Sequence, residues 1–231
     1  MHGLEPGTKR KYFRIKTLGC LAGSAALLFV AAALAGTSPP AIDESMSASK
    51  ASWRAITKPT EGLTLGTLKI QYGQTTLPGL LKAIKSGSIQ HQGDAGVSLY
   101  SLCYTVLKDA YNARIWIEAS GEMGGSEHAV TNVAVQRITS NRPLPDCPVL
   151  PEQYEPLSFN NGVWLGASKA TVEKAFPSGL LRSGERAFIG YQGKTVDDGH
   201  CDGGYDLLNS LYLTFKAGFV VAMNAGQVTS C

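Results

Sequence analysis

The residues best equipped for chemistry gather in two short stretches. TVDDGHCDGGYD (195–206) carries Asp197, Asp198, His200, Asp202 and Asp206, and carboxylate oxygens at that density are the donor type of a Ca²⁺ loop. An EF-hand requires a Glu at its twelfth position, and counted from Asp198 that position is Asn209. The stretch therefore reads first as a polar hairpin loop, with a weak cation site over 197–206 as the alternative. GEMGGSEHAV (121–130) sets Glu122, Glu127 and His128 close together. Imidazole beside carboxylate suits acid–base work near neutrality, but nothing places a nucleophile beside it, and neither Gly-x-Ser-x-Gly nor His-Glu-x-x-His occurs anywhere. SASK (47–50) matches Ser-x-x-Lys formally, in a stretch that offers no cleft and with neither Ser-Asp-Asn nor Lys-Thr-Gly downstream. No catalytic residue, metal ligand set or cofactor is expected.

The glycine-rich stretch reads better as a contact loop. Glu122, Met123, Gly124 and Gly125 are its candidate binding residues, and Trp116 and Trp164 are the candidate aromatic anchors, with Tyr100, Tyr104, Tyr191 and Tyr212 in the neighbouring segments. Aromatic strand residues usually serve a core. If one face of a sheet is open, they are also what a partner grips, because Trp and Tyr dominate binding hot spots.

Five cysteines occur. Cys20 falls before most of the N-terminal apolar run, which is the wrong side for a lipidated cysteine. Cys103, Cys147, Cys201 and Cys231 remain, an even number without a Cys-x-x-Cys pair. In an oxidising compartment this predicts two disulfides, with Cys103–Cys147 and Cys201–Cys231 expected because each bridge then stays local.

The N-terminus points to such a compartment. KRKYFRIK precedes an uncharged run over 17–36, and basic residues on that side hold it in the cytoplasm while the rest is exported. Residues 1–35 are expected to be a signal peptide, cleaved after Ala35, or a retained membrane anchor. A run of that length suits either role. The formal charge of +3 belongs to this leader: residues 36–231 hold 16 basic and 17 acidic residues. A duplex-binding domain clusters its lysines and arginines on the folded part, and no such cluster occurs, so no nucleic-acid partner is expected.

These side chains need elements to hold them. Residues 36–60, rich in Ser, Ala, Pro and Thr, read as a flexible linker. In 61–150, TLKIQY (67–72) alternates as a strand. Thr76 can cap a helix with Leu77, Leu80, Leu81 and Ile84 on one face, stopped by Gly87. Strands are expected at 97–107, 113–120 and 129–138. In 151–231, Leu157 and Phe159 alternate, and Ser168 can cap a helix presenting Val172, Ala175 and Phe176 that ends at Pro177. Strands are expected at 185–192, 208–216 and 218–224. The same order of elements in both halves predicts an α+β protein of two related units, each a helix packed on a small antiparallel sheet. The far face of each sheet is then free unless the two sheets join or that face meets a partner.

GVWLGASKATVEKAFPSG (162–179) resembles the Gly-x-x-x-Gly-x-Ser-x-x-x-Val opening of the repeats in the β-lactamase inhibitor protein and in the small outer-membrane assembly lipoproteins of the SmpA/OmlA (BamE) family. LYLTFKAGFVVAMNAGQVTSC (211–231) is similar to the way such units end. The likeness covers 157–231 fairly and 63–147 in outline, since the first half lacks the Leu-Gly-x-Ser signature and inserts GEMGGSEH. It implies a tandem helix-plus-sheet protein of the cell envelope that binds other proteins, and it transfers no site residue. The reading is an exported bacterial envelope protein, periplasmic or secreted or held at the inner membrane by its leader, acting as a non-catalytic binding module for an envelope protein. The competing readings are an envelope hydrolase with a site near Glu122, His128 or His200, and a structural envelope component.

Overall fold

The computed structural model of the chain describes residues 38–94, 98–108, 111–121, 127–155, 157–159, 161–194 and 204–230. All of them lie in the unit Leu34–Cys231. Among the described residues no helix is long and apolar enough to cross a membrane. The leader, residues 1–35, lies outside the described residues.

Among the described residues two short α-helices form where their caps place them. In α1 (Leu77–Ile84) the Thr76 hydroxyl accepts from the Gly79 N–H at 3.2 Å, satisfying a donor that has no partner within the helix. Leu77, Leu80 and Ile84 are buried on one face. The helix stops at Ile84, three residues before Gly87, because Lys85 takes the left-handed conformation (φ 57°) and its N–H reaches the Leu81 carbonyl. In α2 (Lys169–Ala175) the Ser168 hydroxyl accepts from Thr171 N–H at 3.1 Å. Phe176 ends it, ahead of the proline.

Strand outweighs helix among the described residues, 47% to 14%, and the way the strands pair overturns the expected α+β architecture. β1 (Gly62–Leu65) pairs with β2 (Leu68–Gln71) on one side and β7 (Leu157–Phe159) on the other, all antiparallel. The remaining strands are β3 (Gln90–Gln92), β4 (Leu99–Leu107), β5 (Asn112–Ser120), β6 (Asn132–Ile138), β8 (Leu180–Ser183), β9 (Arg186–Lys194), β10 (Asp206–Lys216) and β11 (Phe219–Ser230). They build one eight-stranded antiparallel sheet in the order β3-β4-β5-β6-β11-β10-β9-β8. The protein is mostly β, and a helix on its own small sheet, occurring twice, is not what it forms. The reason is physical. β6 and β11 would each be a long exposed edge in a separate small sheet, with unpaired backbone groups; paired through Ala222–Gly226 against Asn132–Gln136, they satisfy one another. β1 and β7 likewise join residues of the two halves, Leu63 opposite Phe159.

The sheet has two differently covered faces. On the inner face, Leu102, Tyr104 and Val106 of β4, Ile115 and Ile117 of β5, Val133 and Val135 of β6 and Leu211 and Leu213 of β10 join α1, α2 and the three-stranded sheet in the main core. Tyr104 donates to the Ser86 carbonyl at 2.9 Å, and burial pushes its phenol up to about 12. Asn209 of β10, fully buried, clamps Thr60 in both directions, its amide nitrogen donating at 2.6 Å and its oxygen accepting at 3.3 Å.

Residues 38–60, expected as a linker, are packed where they are described. Met46 is buried, and the Trp53 ring meets Phe188 edge-on at 5.3 Å, with Phe188 against Tyr212 at 4.8 Å. A Cβ on Gly190 would stand 2.7 Å from the Phe188 ring and 3.0 Å from Trp53, so glycine makes room for this stack. The Trp53 indole donates to the Ser47 carbonyl at 2.9 Å, Ala55 N–H to the Gly190 carbonyl at 2.9 Å, and Arg186 pairs with Asp43. The segment thus covers the outer face of the sheet over β9 and β10.

Candidate functional groove

Over β3, β4 and β5 the outer face is only partly covered by the described residues, and it forms a groove of about 420 Å³. Strand alternation sends Ser101 and Cys103 of β4 and Trp116 and Glu118 of β5 outward. Register aligns them in rows across the strands. Gln90, Ser101, Glu118 and Asn132 make one row, and Cys103, Trp116 and Ala134 the next. One wall is the segment Leu144–Cys147, fixed by the Cys103–Cys147 disulfide. The segment then runs along β4 beyond the reach of β3, with Thr105 N–H donating to the Pro148 carbonyl and Leu150 N–H to the Thr105 carbonyl.

Glu118 is the unusual residue of the groove. Its side chain is on the wall, only 5% of the residue is exposed, and burial holds its carboxyl above the usual range. The Asn132 amide donates to its Oε2 and opposes that shift. Asn132 in turn lies over Gly226 of β11, where a Cβ would come 2.8 Å from Asn132 Oδ1 and 3.0 Å from the Thr131 carbonyl. A glycine on the neighbouring strand therefore leaves space for the amide that holds the carboxylate. No lysine or arginine forms a salt bridge to Glu118 among the described residues. None lines the groove either, whereas Asp146 does.

The residues singled out from sequence are distributed differently. Trp116 is 4% exposed and packs with Cys103, Ala134, Cys147 and Leu144. Trp164 sits on the opposite side of the sheet, packed against the main core, with its indole donating to the Tyr111 hydroxyl at 2.7 Å. The two tryptophans do not share a site. Glu122, Met123, Gly124 and Gly125 lie outside the described residues, as do Asp197, Asp198, His200, Asp202, Cys201 and Cys231. Asp206 accepts from the Gln192 amide at 2.6 Å. Among the described residues no three His, Cys, Asp or Glu side chains gather as metal ligands. His128 adopts a positive φ of 52° and stacks on Tyr100 at 3.9 Å, and Tyr100 stacks on His91 at 4.4 Å. The Nδ1 of His128 is buried, with no hydrogen-bond partner among the described residues.

The sequence reading missed Glu118, Asn132, Gln90 and Ser101. A signal existed for Glu118: in NARIWIEAS a carboxylate shares one strand face with Trp116 and stands amid residues that otherwise read as buried. A second depression, at Ile56–Glu61 beside Tyr191, has its charges matched internally through Lys58 and Glu61 at 3.2 Å. Compared with family models, curated proteins and solved structures, the chain matches none.

Proposed function

We propose that this chain is a non-catalytic protein-binding module of the bacterial envelope and that the groove over β3, β4 and β5 is where its partner docks. The observation that carries the reading is the groove itself: a concave surface on a broad sheet, held by a disulfide-fixed wall, lined by a tryptophan, leucines and polar side chains in register. Rigid strands position such side chains with little ordering on binding, which favours recognition. β3 also stands at the end of the sheet with its outer edge unpaired among the described residues, a place where an extended partner can add backbone hydrogen bonds.

The compartment belongs to the same proposal. The basic residues ahead of the apolar run over 17–36 direct the remainder out of the cytoplasm, and the Cys103–Cys147 disulfide suits an oxidising environment. The partner is then an envelope protein, with the leader holding the module at the membrane if it is retained. The motif likeness of 157–231 to envelope inhibitor and assembly proteins supports the same class.

The test is site-specific photocrosslinking in a Gram-negative host. A crosslinker replacing Gln92, at the groove, should capture one stoichiometric envelope protein, while a crosslinker replacing Lys69, on β2, should not. Equal capture from both positions, or from neither, would remove the groove as the docking site.

A further inference from the structure

We infer that the groove accepts a basic side chain, lysine or arginine, presented by the partner polypeptide, and that Glu118 is the carboxylate that receives it. This rests on the groove being the docking site. Three observations carry it. Glu118 is 5% exposed, lines the groove, and among the described residues its carboxylate takes one hydrogen bond, from Asn132, on one of its two oxygens. A carboxylate withdrawn from water without a cation is costly, and here the described residues supply an amide and no salt-bridging cation. Among the described residues the charge inventory of the groove is one-sided, with Glu118 and Asp146 and no basic lining residue. Arg114 shares the outward face of β5, but it stands four residues along the strand, ~13 Å away at strand rise, with Trp116 between them, and one guanidinium nitrogen donates to the Arg142 carbonyl at 3.5 Å. Finally, the surroundings suit a long basic side chain. Trp116, Leu99 and Leu144 offer apolar surface to its stem, while Ser101 and Gln90, in the same row as Glu118, offer further acceptors to its head.

A metal ion fits this groove poorly: the lining holds two carboxylates, and among the described residues no three His, Cys, Asp or Glu side chains gather as ligands for one. A polypeptide occupant is favoured over a small amine because β3, which lines the groove with Gln90 and Gln92, has an outer edge unpaired among the described residues, where an extended main chain can lie.

The experiment uses the purified chain and fluorescein-labelled decapeptides that carry one central Lys, Arg or norleucine in a Gly/Ser background, with affinity read by anisotropy. The Lys or Arg peptide should bind at least tenfold more tightly than the norleucine peptide. Glu118→Gln should remove that preference, whereas Asp146→Asn, at the exposed rim, should change it less than threefold. Ser101→Lys, which places an ammonium opposite Glu118 from within the chain, should block the Lys peptide while its thermal melt shows the fold intact. Indifference of binding to Glu118→Gln, or equal binding of the norleucine peptide, overturns the inference. Displacement of the Lys peptide by n-butylamine at matched concentration overturns the polypeptide occupant in favour of a free amine. If the Gln92 crosslink to an envelope protein persists unchanged in Glu118→Gln, the basic side chain is ruled out while the groove remains the docking site; loss of crosslinks in the unsubstituted chain removes the groove itself.

Discussion

At the scale of single residues, Glu118 sets a conflict between stability and recognition. Burial raises its carboxyl above the value of 4.5 it has when free, with the Asn132 hydrogen bond acting the other way. The folded chain therefore binds this proton more tightly than the unfolded chain does. By linkage its effect is most favourable to folding at low pH, below the unfolded value, and is lost as pH rises through the raised folded value. Ser101, Trp116, Ser120 and Asn132 are its neighbours by strand and register, and Asp146 is the other titratable residue of the groove lining. Glu118→Gln keeps the shape and removes the buried charge. It should raise the melting temperature at pH 7 by about 2–4 °C, the shift that ~1 kcal/mol gives a domain of this size, and flatten the change in stability between pH 4.5 and 7. Melts of both proteins across that range check it; a substitution that lowers the melting temperature at pH 7 would contradict the account. Gly226→Ala probes the other side of the same contact. The added methyl meets Asn132 Oδ1 and the Thr131 carbonyl, so it should cost about 1–3 kcal/mol as overpacking and move the Glu118 carboxyl still higher, as seen by carbon-detected NMR titration.

At the scale of elements, local chemistry shows which segments were readable. α1 and α2 begin at Thr76 and Ser168 as their sequences indicate, and β4, β5 and β10 follow from long alternating or continuously apolar runs. β3 has the sequence Gln-His-Gln and carries no hydrophobic period; it is a strand because β4 offers it a partner. The early stop of α1 depends on Lys85 adopting a left-handed conformation, for which glycine is the usual signal. The groove wall at Leu144–Cys147 carries no hydrophobic period in its sequence; it is a turn closed by Cys147 N–H on the Leu144 carbonyl and is positioned through Cys147. Closing a loop with a sequence separation of 44 contributes about 4 kcal/mol in the chain-entropy model. Replacing Cys103 and Cys147 together by alanine should therefore lower stability by about 2–5 kcal/mol. It should also release the wall, so that partner capture through the Gln92 crosslinker falls under conditions where the protein is still folded. Loss of stability with undiminished capture would show that the wall does not shape the groove.

At the scale of the whole molecule, what could not be read was which strand pairs with which. A pairing such as Met223 opposite Val135 joins residues far apart in sequence, and neither β6 nor β11 carries a mark naming its partner. Both are apolar enough on their inner faces to belong to a small local sheet. The outer cover was hidden for a related reason: residues 38–60 have the composition of a tether, yet Met46 and Trp53 among them are placed against β9 and β10. The joined architecture has a consequence for unfolding. Because β6 with β11, and β1 with β7, tie the two halves together, the core contains inner-face residues from both, and loss of one half exposes the edge and the core of the other. The described unit should therefore unfold as one cooperative transition. Trp116 reports on the first half and Trp164 on the second. In variants keeping one or the other of these, with the remaining tryptophans replaced by phenylalanine, fluorescence melts should match the transition seen by circular dichroism. Adding Ile117→Ala, a cavity in β5 worth about 2–5 kcal/mol, should then lower the midpoint seen by Trp164 as much as the one seen by Trp116. Were the Trp164 midpoint to stay in place while the Trp116 midpoint dropped, the halves would be folding independently and the β6–β11 pairing would not be holding the sheet together.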